Sequence, residues 1–134
     1  MGWLARHEQT LLGILRIVAG LLFLEHGLQK VAGFPPMPAA MAAAIPHAMM
    51  PIIITAGVIE LVGGALITLG LLTRIAAFIC SGEMAAAYFL GHMARGGFFP
   101  SVNGGDAAIL FCFVFLFLAS AGPGAFAISR SAKV

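Results

Sequence analysis

The sequence predicts an all-α fold: a transmembrane four-helix bundle with a short interfacial helix in its first outer loop. Composition is the first ground. Of 134 residues, 61% are hydrophobic and 9% charged, and the mean hydropathy is +1.06. An ordinary soluble domain is about 45–50% apolar and about 25% charged, so twelve Asp, Glu, Lys and Arg side chains cannot cover a water-facing surface of this size. Intrinsic disorder needs low hydrophobicity and is excluded on the same ground. The second ground is spacing. Four apolar stretches approach the roughly 20 residues that cross a hydrocarbon core of about 30 Å, and glycine and proline separate them. Nucleic-acid binding is not expected, because the net charge of +2 comes from scattered residues with no basic stripe.

Span one covers residues 10–30. It is too long for the apolar core of a signal peptide, and it carries Arg16, Glu25 and His26. Span two covers residues 51–72 and holds a single charge, Glu60. Span three covers 75–92, begins just after Thr73-Arg74 and contains Glu83. Span four covers 106–122 and stops at Gly122-Pro123-Gly124. Its Phe111, Phe113, Phe115 and Phe117 alternate as in a strand, but the apolar run is too long for one, so length decides for a helix.

The connections differ in kind. The short turn Gly70–Arg74 makes spans two and three antiparallel neighbours. Between spans one and two lie Pro35, Pro36, Pro38 and Pro46, and the stretch Pro38–Ile45 reads as a short uncharged helix opened by proline. Between spans three and four runs a glycine-rich loop, Gly91–Gly105, with Asp106 as the expected N-cap of span four. Residues 1–134 form one domain, without repeat or linker. For topology, Arg6, Arg74, Arg130 and Lys133 fall on the side of the termini, and Lys30 and Arg95 on the other. The positive-inside rule then makes both termini cytoplasmic. Trp3 reads as an interfacial anchor, and Tyr88 as a belt aromatic. Cys80 and Cys112 read as small apolar core residues rather than a redox pair.

Ionisable groups inside spans cost about 2.5–3.5 kcal/mol each on insertion scales and mark functional sites. At 1.5 Å per residue, Arg16 lies about 9 Å and Glu83 about 12 Å from the cytoplasmic side, with Glu60 about 18 Å deep. Small residues share a face with each charge: Gly13, Gly20 and Gly27 with Arg16, Gly57 and Gly64 with Glu60, Ala76, Cys80 and Ala87 with Glu83. The charges should therefore face inward, and an Arg16–Glu ion pair is expected. One arginine cannot neutralise two acids, so one glutamate is expected to stay protonated and able to exchange a proton. The plainer reading, an ion pair that only fixes helix register, has equal weight. At the outer mouth gather His26, Lys30, His47, His92, Arg95, Asn103 and Asp106, with Glu25 nearby. No two of the histidines share a helical ligand spacing, so no metal site is expected; a polar mouth for a headgroup, quinone ring or anion is the better reading.

Leu15-Arg16-Ile17-Val18-Ala19-Gly20-Leu21-Leu22-Phe23-Leu24-Glu25-His26-Gly27-Leu28-Gln29-Lys30 resembles the opening of DoxX proteins. Glu60-Leu61-Val62-Gly63-Gly64 with Leu69-Gly70-Leu71-Leu72-Thr73-Arg74 looks like their second-span signature, and Asn103-Gly104-Gly105-Asp106 and Gly122-Pro123-Gly124 also match. The resemblance covers nearly the whole chain. It implies a multi-pass protein of the bacterial inner membrane, linked in some relatives to quinone-coupled sulfur oxidation, such as a thiosulfate:quinone oxidoreductase subunit, and in others to thiol handling or to reactive quinones.

The reading that joins residues and resemblance is a quinone-linked oxidoreductase component. Arg16, Glu60 and Glu83 would be the catalytic groups, and His26, Lys30, His92, Asn103 and Asp106 would line the entrance. A quinone is the expected cofactor, with no protein-bound metal or flavin. The expected partners are the lipid bilayer, a soluble redox protein and, for so small a bundle, further copies of the chain. Two alternatives stand beside it: a non-enzymatic scaffold subunit for a soluble redox partner, and a small anion or metal carrier.

Overall fold

A computed structural model describes residues 2–129, and all its regular structure is helical. In chain order the helices are α1 (Gly2–Ala5), α2 (Glu8–Ala32), α3 (Ala39–Ala43), α4 (Met50–Leu69), α5 (Thr73–Ala86), α6 (Ala94–Gly96), α7 (Pro100–Asn103) and α8 (Asp106–Ala121). A 3₁₀ turn, His47–Met49, leads into α4, and a π-helical stretch, Ala87–Met93, joins α5 to α6 without a break. Three continuous helices are long and apolar enough to cross a membrane: Glu8–Ala32, His47–Leu69 and Thr73–Gly96. The fourth expected span is present as α8. Its 16 residues measure about 24 Å at 1.5 Å per residue, short of a hydrocarbon core of about 30 Å.

The bundle is two tight antiparallel pairs, α2 with α4 and α5 with α8, joined chiefly where α4 meets α5. Glycine sets the first pair. A Cβ added at Gly64 would come within 2.6 Å of Leu24 N, and one at Gly27 would collide with the backbone of Leu61 and Gly57. The helices thus touch backbone to backbone, as small-residue stripes allow. Across α5 and α8, the Ser81 hydroxyl donates to Cys112 O at 2.8 Å. Ile67, Ala77, Phe115 and Leu118 are wholly buried between the pairs.

The reversal after α4 follows from Gly70. At φ 72° it takes the left-handed conformation that ends a helix, with Gly70 N–H donating to Ile67 O and Leu71 N–H to Leu66 O. After Gly122 the chain doubles back over the helix ends, where Ala125 N–H donates to Gln9 O and Ile128 N–H to Leu69 O. Gly13 makes room for this strap rather than for a helix, since its Cβ would strike Ala125. The bundle therefore has a terminal end, where the strap and Gly70 meet, and a loop end, formed by residues 33–49 and 97–105. Two cations counted in the sequence topology, Arg130 and Lys133, lie outside the described residues.

Candidate functional site

Arg16 does not pair with a glutamate. It is fully buried, yet each guanidinium nitrogen donates to backbone. Nε binds Pro123 O at 2.7 Å, Nη1 binds Ile67 O at 2.7 Å and Thr68 O at 2.5 Å, and Nη2 binds Ala125 O at 3.1 Å. Ile67 and Thr68 lie in the last turn of α4, where helical carbonyls lack i+4 partners and the helix dipole is negative, and Ile67 O accepts from Gly70 N–H as well as from Arg16. Register explains why the expected pair fails. Gly20 faces Thr68 and Gly27 faces Leu61, so Arg16 stands level with the turn after α4. Glu60 is seven residues earlier than Ile67, about 10 Å along the axis. The sequence depths were counted from span ends that are not level in the bundle.

The partner of Glu60 is Lys30. Its Nζ lies 2.5 Å from Glu60 Oε1, the one ion pair among the described residues. Side chains on a helix lean toward its N-terminus, so a lysine in the last turn of α2 leans into the bundle. Gly57 opens the way, because Lys30 Cβ lies against it. Lys30 therefore turns inward to Glu60 while staying half-buried. Glu60 is 1% exposed, and its second oxygen, Oε2, is buried without a hydrogen-bond partner.

Glu83 completes the cluster from α5. Cys80 Sγ sits against Gly63 across the α4–α5 contact. Glu60 is one turn before Gly63 and Glu83 one turn after Cys80, which in antiparallel helices brings the acids to the same level. Glu83 lies within electrostatic reach of both Glu60 and Lys30, and its Oε2 is also buried without a partner. One cation, two carboxylates and two unpartnered oxygens therefore meet in an apolar interior. Such oxygens are costly to leave unmade and can accept a hydrogen bond or hold a proton.

The mouth residues divide. His92 Nδ1 donates to Asn103 O at 3.2 Å, Asn103 Nδ2 donates to Gly97 O at 2.7 Å, and Asn103 Oδ1 accepts from Gly105 N–H at 2.8 Å, so these two shape the loop before α8. Asp106 is not the N-cap. Gly105 holds that place, and Asp106 is the exposed first residue of α8, favourable to the helix dipole by charge alone. His26 is exposed on α2, donating from Nδ1 to Leu22 O at 2.8 Å with its ring edge-on to Phe111. Among the described residues no hydrogen bond or ion pair joins His26, Lys30 or Asp106 to His92 or Asn103. Among the described residues no three His, Cys, Asp or Glu side chains are gathered as metal ligands.

Two features of the loop end have no clear sequence signal. Tyr88 is buried rather than facing lipid, donating its hydroxyl to Phe98 O, with its ring packed where a Cβ at Gly105 would be. The π-helical stretch Ala87–Met93 begins one turn beyond Glu83; such wide turns occur often at functional sites. Cys80 is a buried and Cys112 a half-buried free thiol.

This architecture matches known sequences. The DoxX family profile covers residues 11–93, which include Arg16, Lys30, Glu60, Cys80 and Glu83. The chain belongs to the DoxX family. An uncharacterized protein of Haemophilus influenzae is 43% identical over 132 residues, 97% of this chain and 96% of its own. The inner membrane protein YqjF of Escherichia coli (strain K12) is 32% identical over 124 residues, 87% of this chain and 88% of its own. No solved structure matches. This DoxX-family chain is a membrane protein with several apolar helices.

Proposed function

We propose that this DoxX-family protein is a quinone-linked redox component of a bacterial inner membrane, with both termini cytoplasmic. The observation that carries the reading is the inward-facing Lys30–Glu60–Glu83 cluster, with Glu60 buried and two carboxylate oxygens unpartnered. A quinone, when bound, supplies a lipid-soluble acceptor of two electrons and two protons, the electrons coming from a soluble redox protein. Glu83 holds and delivers a proton at Oε2, while Lys30 holds the Glu60 carboxylate in place. The apolar helices around them exclude water, which strengthens each electrostatic contact. Arg16 stabilises the terminal end, because its donors are already engaged by carbonyls. Two facts support the membrane assignment: the relative from Escherichia coli is named an inner membrane protein, and with Lys30 drawn inward the loop end keeps only Arg95 of the cations counted there.

The test is mass spectrometry of lipids that co-purify with the protein in nanodiscs, followed by titration with ubiquinone. The expected result is a quinone retained by the wild-type protein and saturable binding of added ubiquinone. A wild-type protein that retains and binds no quinone refutes the reading. Full cellular function in correctly folded Glu83→Gln and Glu60→Gln proteins favours a scaffold instead.

A further inference from the structure

Two shallow apolar grooves open on the lipid-facing surface. One, of about 280 Å³, lies between α4 and α5 and is lined by Val58, Val62, Gly63, Ala76 and Cys80 among others. The other, of about 320 Å³, lies between α2 and α8 and includes Val18, Leu22 and Phe111. Their floors differ. Behind the α2–α8 groove, Phe111 stacks on Phe115 with centroids 5.5 Å apart, and buried Phe23 packs on both, so phenyl rings close it off from the bundle axis. The α4–α5 groove ends on the Gly63–Cys80 contact. Ala76, Cys80 and Glu83 follow the i, i+4, i+7 spacing of one helix face, so Glu83 stands one turn beyond the groove on its own wall. Glu60 stands one turn beyond Gly63 on the other.

We propose that the α4–α5 groove is the lateral access route of the quinone, taking the first part of an isoprenoid tail while the ring meets Glu83 and Glu60. This rests on the quinone reading above and adds where the molecule comes in and what part of it is gripped. The occupant follows from the two ends of the site. The groove walls are hydrocarbon and open to the bilayer, so they select an apolar chain. One helical turn beyond the small-residue floor of the groove stand two carboxylates whose buried oxygens lack partners, so the chain must carry a group able to share a proton or donate a hydrogen bond. Pockets that enclose whole ligands have volumes of about 300–1,000 Å³, and this one lies just below that range, which suits a segment of a tail rather than a complete molecule.

The experiment compares ubiquinone with the same benzoquinone ring lacking its tail, on wild type, Val62→Trp and Val18→Trp in nanodiscs. Val62 and Val18 both face lipid, at 53% and 50% exposure, so each tryptophan fills one groove without entering the core. The expected result is that Val62→Trp weakens ubiquinone at least about tenfold more than it weakens the bare ring, a difference of about 1.4 kcal/mol, while Val18→Trp discriminates between neither. Wild type that binds the tailed quinone with no such discrimination in Val62→Trp overturns the groove and leaves the quinone reading standing. Wild type that binds neither compound overturns the quinone reading itself. A quinone photoreactive on the first tail unit gives a second readout on unmodified protein: labels within residues 58–66 and 76–80 support the route, and labels confined to α2 and α8 overturn it.

Discussion

Lys30 and Glu60 are held 2.5 Å apart across the α2–α4 interface, in a contact that the lysine reaches only by extending inward past Gly57. The pair joins the last turn of one helix to the middle of its antiparallel neighbour. It also decides which buried acid has a permanent counter-ion: Glu60 has one, and Glu83 shares its field.

Lys30→Met should therefore destabilise the protein, because it leaves two carboxylates in an apolar interior. Breaking one side of a fully buried pair costs about 3–5 kcal/mol. The cost here should be smaller, since Lys30 is 23% exposed. Adding Glu60→Gln to Lys30→Met should restore much of the loss by removing the stranded charge. Thermal melting in one detergent reads both. Melting temperatures that fall additively in the double variant would deny the pairing.

Arg16→Leu should be the more damaging change. It removes the charged donor from the carbonyls of Ile67, Thr68, Pro123 and Ala125, of which Ile67 O keeps the bond from Gly70 N–H, and hydrogen bonds to charged groups contribute about 1.5–3 kcal/mol each. Arg16→Lys keeps the charge, but a single ammonium lacks the planar fork of a guanidinium and cannot reach all four. Melting temperature should fall in the order wild type, Arg16→Lys, Arg16→Leu. The strap after Gly122 should become more sensitive to protease in the same order.

The residues that were legible in the sequence, and those that were not, follow one physical distinction. Small-residue faces and span content depend on local pattern, so the stripe of Gly20, Gly27, Gly57 and Gly64 and the inward-facing Arg16, Glu60 and Glu83 could be found. Pairing depends on relative helix height, which pattern does not encode. α2 overhangs the end of α4, so Arg16 met carbonyls and Lys30 met the acid. Loop closure is likewise non-local: a tyrosine near a helix end suits a lipid belt as well as a hydrogen bond to Phe98 O, and Asp before an apolar run suits the first turn as well as the cap.

The glycine stripe yields a comparison between two alanine substitutions. Gly64→Ala places a methyl against the backbone of Leu24, and overpacking of this kind costs about 1–3 kcal/mol. At Gly82 an added Cβ meets nothing within 4 Å, and Gly82→Ala should be neutral or stabilising by up to about 1 kcal/mol of helix propensity. Equal stability of the two variants in a melting experiment would mean that α2 and α4 are not in backbone contact.

Tyr88→Phe isolates one hydroxyl. It removes the bond to Phe98 O while keeping the ring that packs on Gly105. The loss should be about 1 kcal/mol and local, read as faster hydrogen exchange in residues 96–105 with little change in α2 or α4. If exchange rises evenly through the bundle, the tyrosine supports the whole fold rather than this loop.

Glu83→Gln separates proton delivery from folding better than any change at Glu60. Glu60 is bound to Lys30, so its amide variant alters an ion pair as well as a proton site. Glu83 Oε2 has no partner to lose, so the amide preserves shape and asks only that its new N–H groups be tolerated. A glutamine cannot release a proton at neutral pH, and general acid–base groups contribute about 10²–10⁴ in rate. With quinone and a reducing partner supplied in proteoliposomes, the variant should bind quinone within a few-fold of wild type and turn over at least about a hundredfold more slowly. Glu83→Asp should recover part of the rate, since it restores an ionisable oxygen about one methylene short of its position. A Glu83→Gln protein that folds, binds and turns over like wild type would remove this acid from the proton path. Loss of binding together with turnover would instead make Glu83 a ligand-positioning group, because docking would then require the carboxyl itself and not only a side chain of its shape.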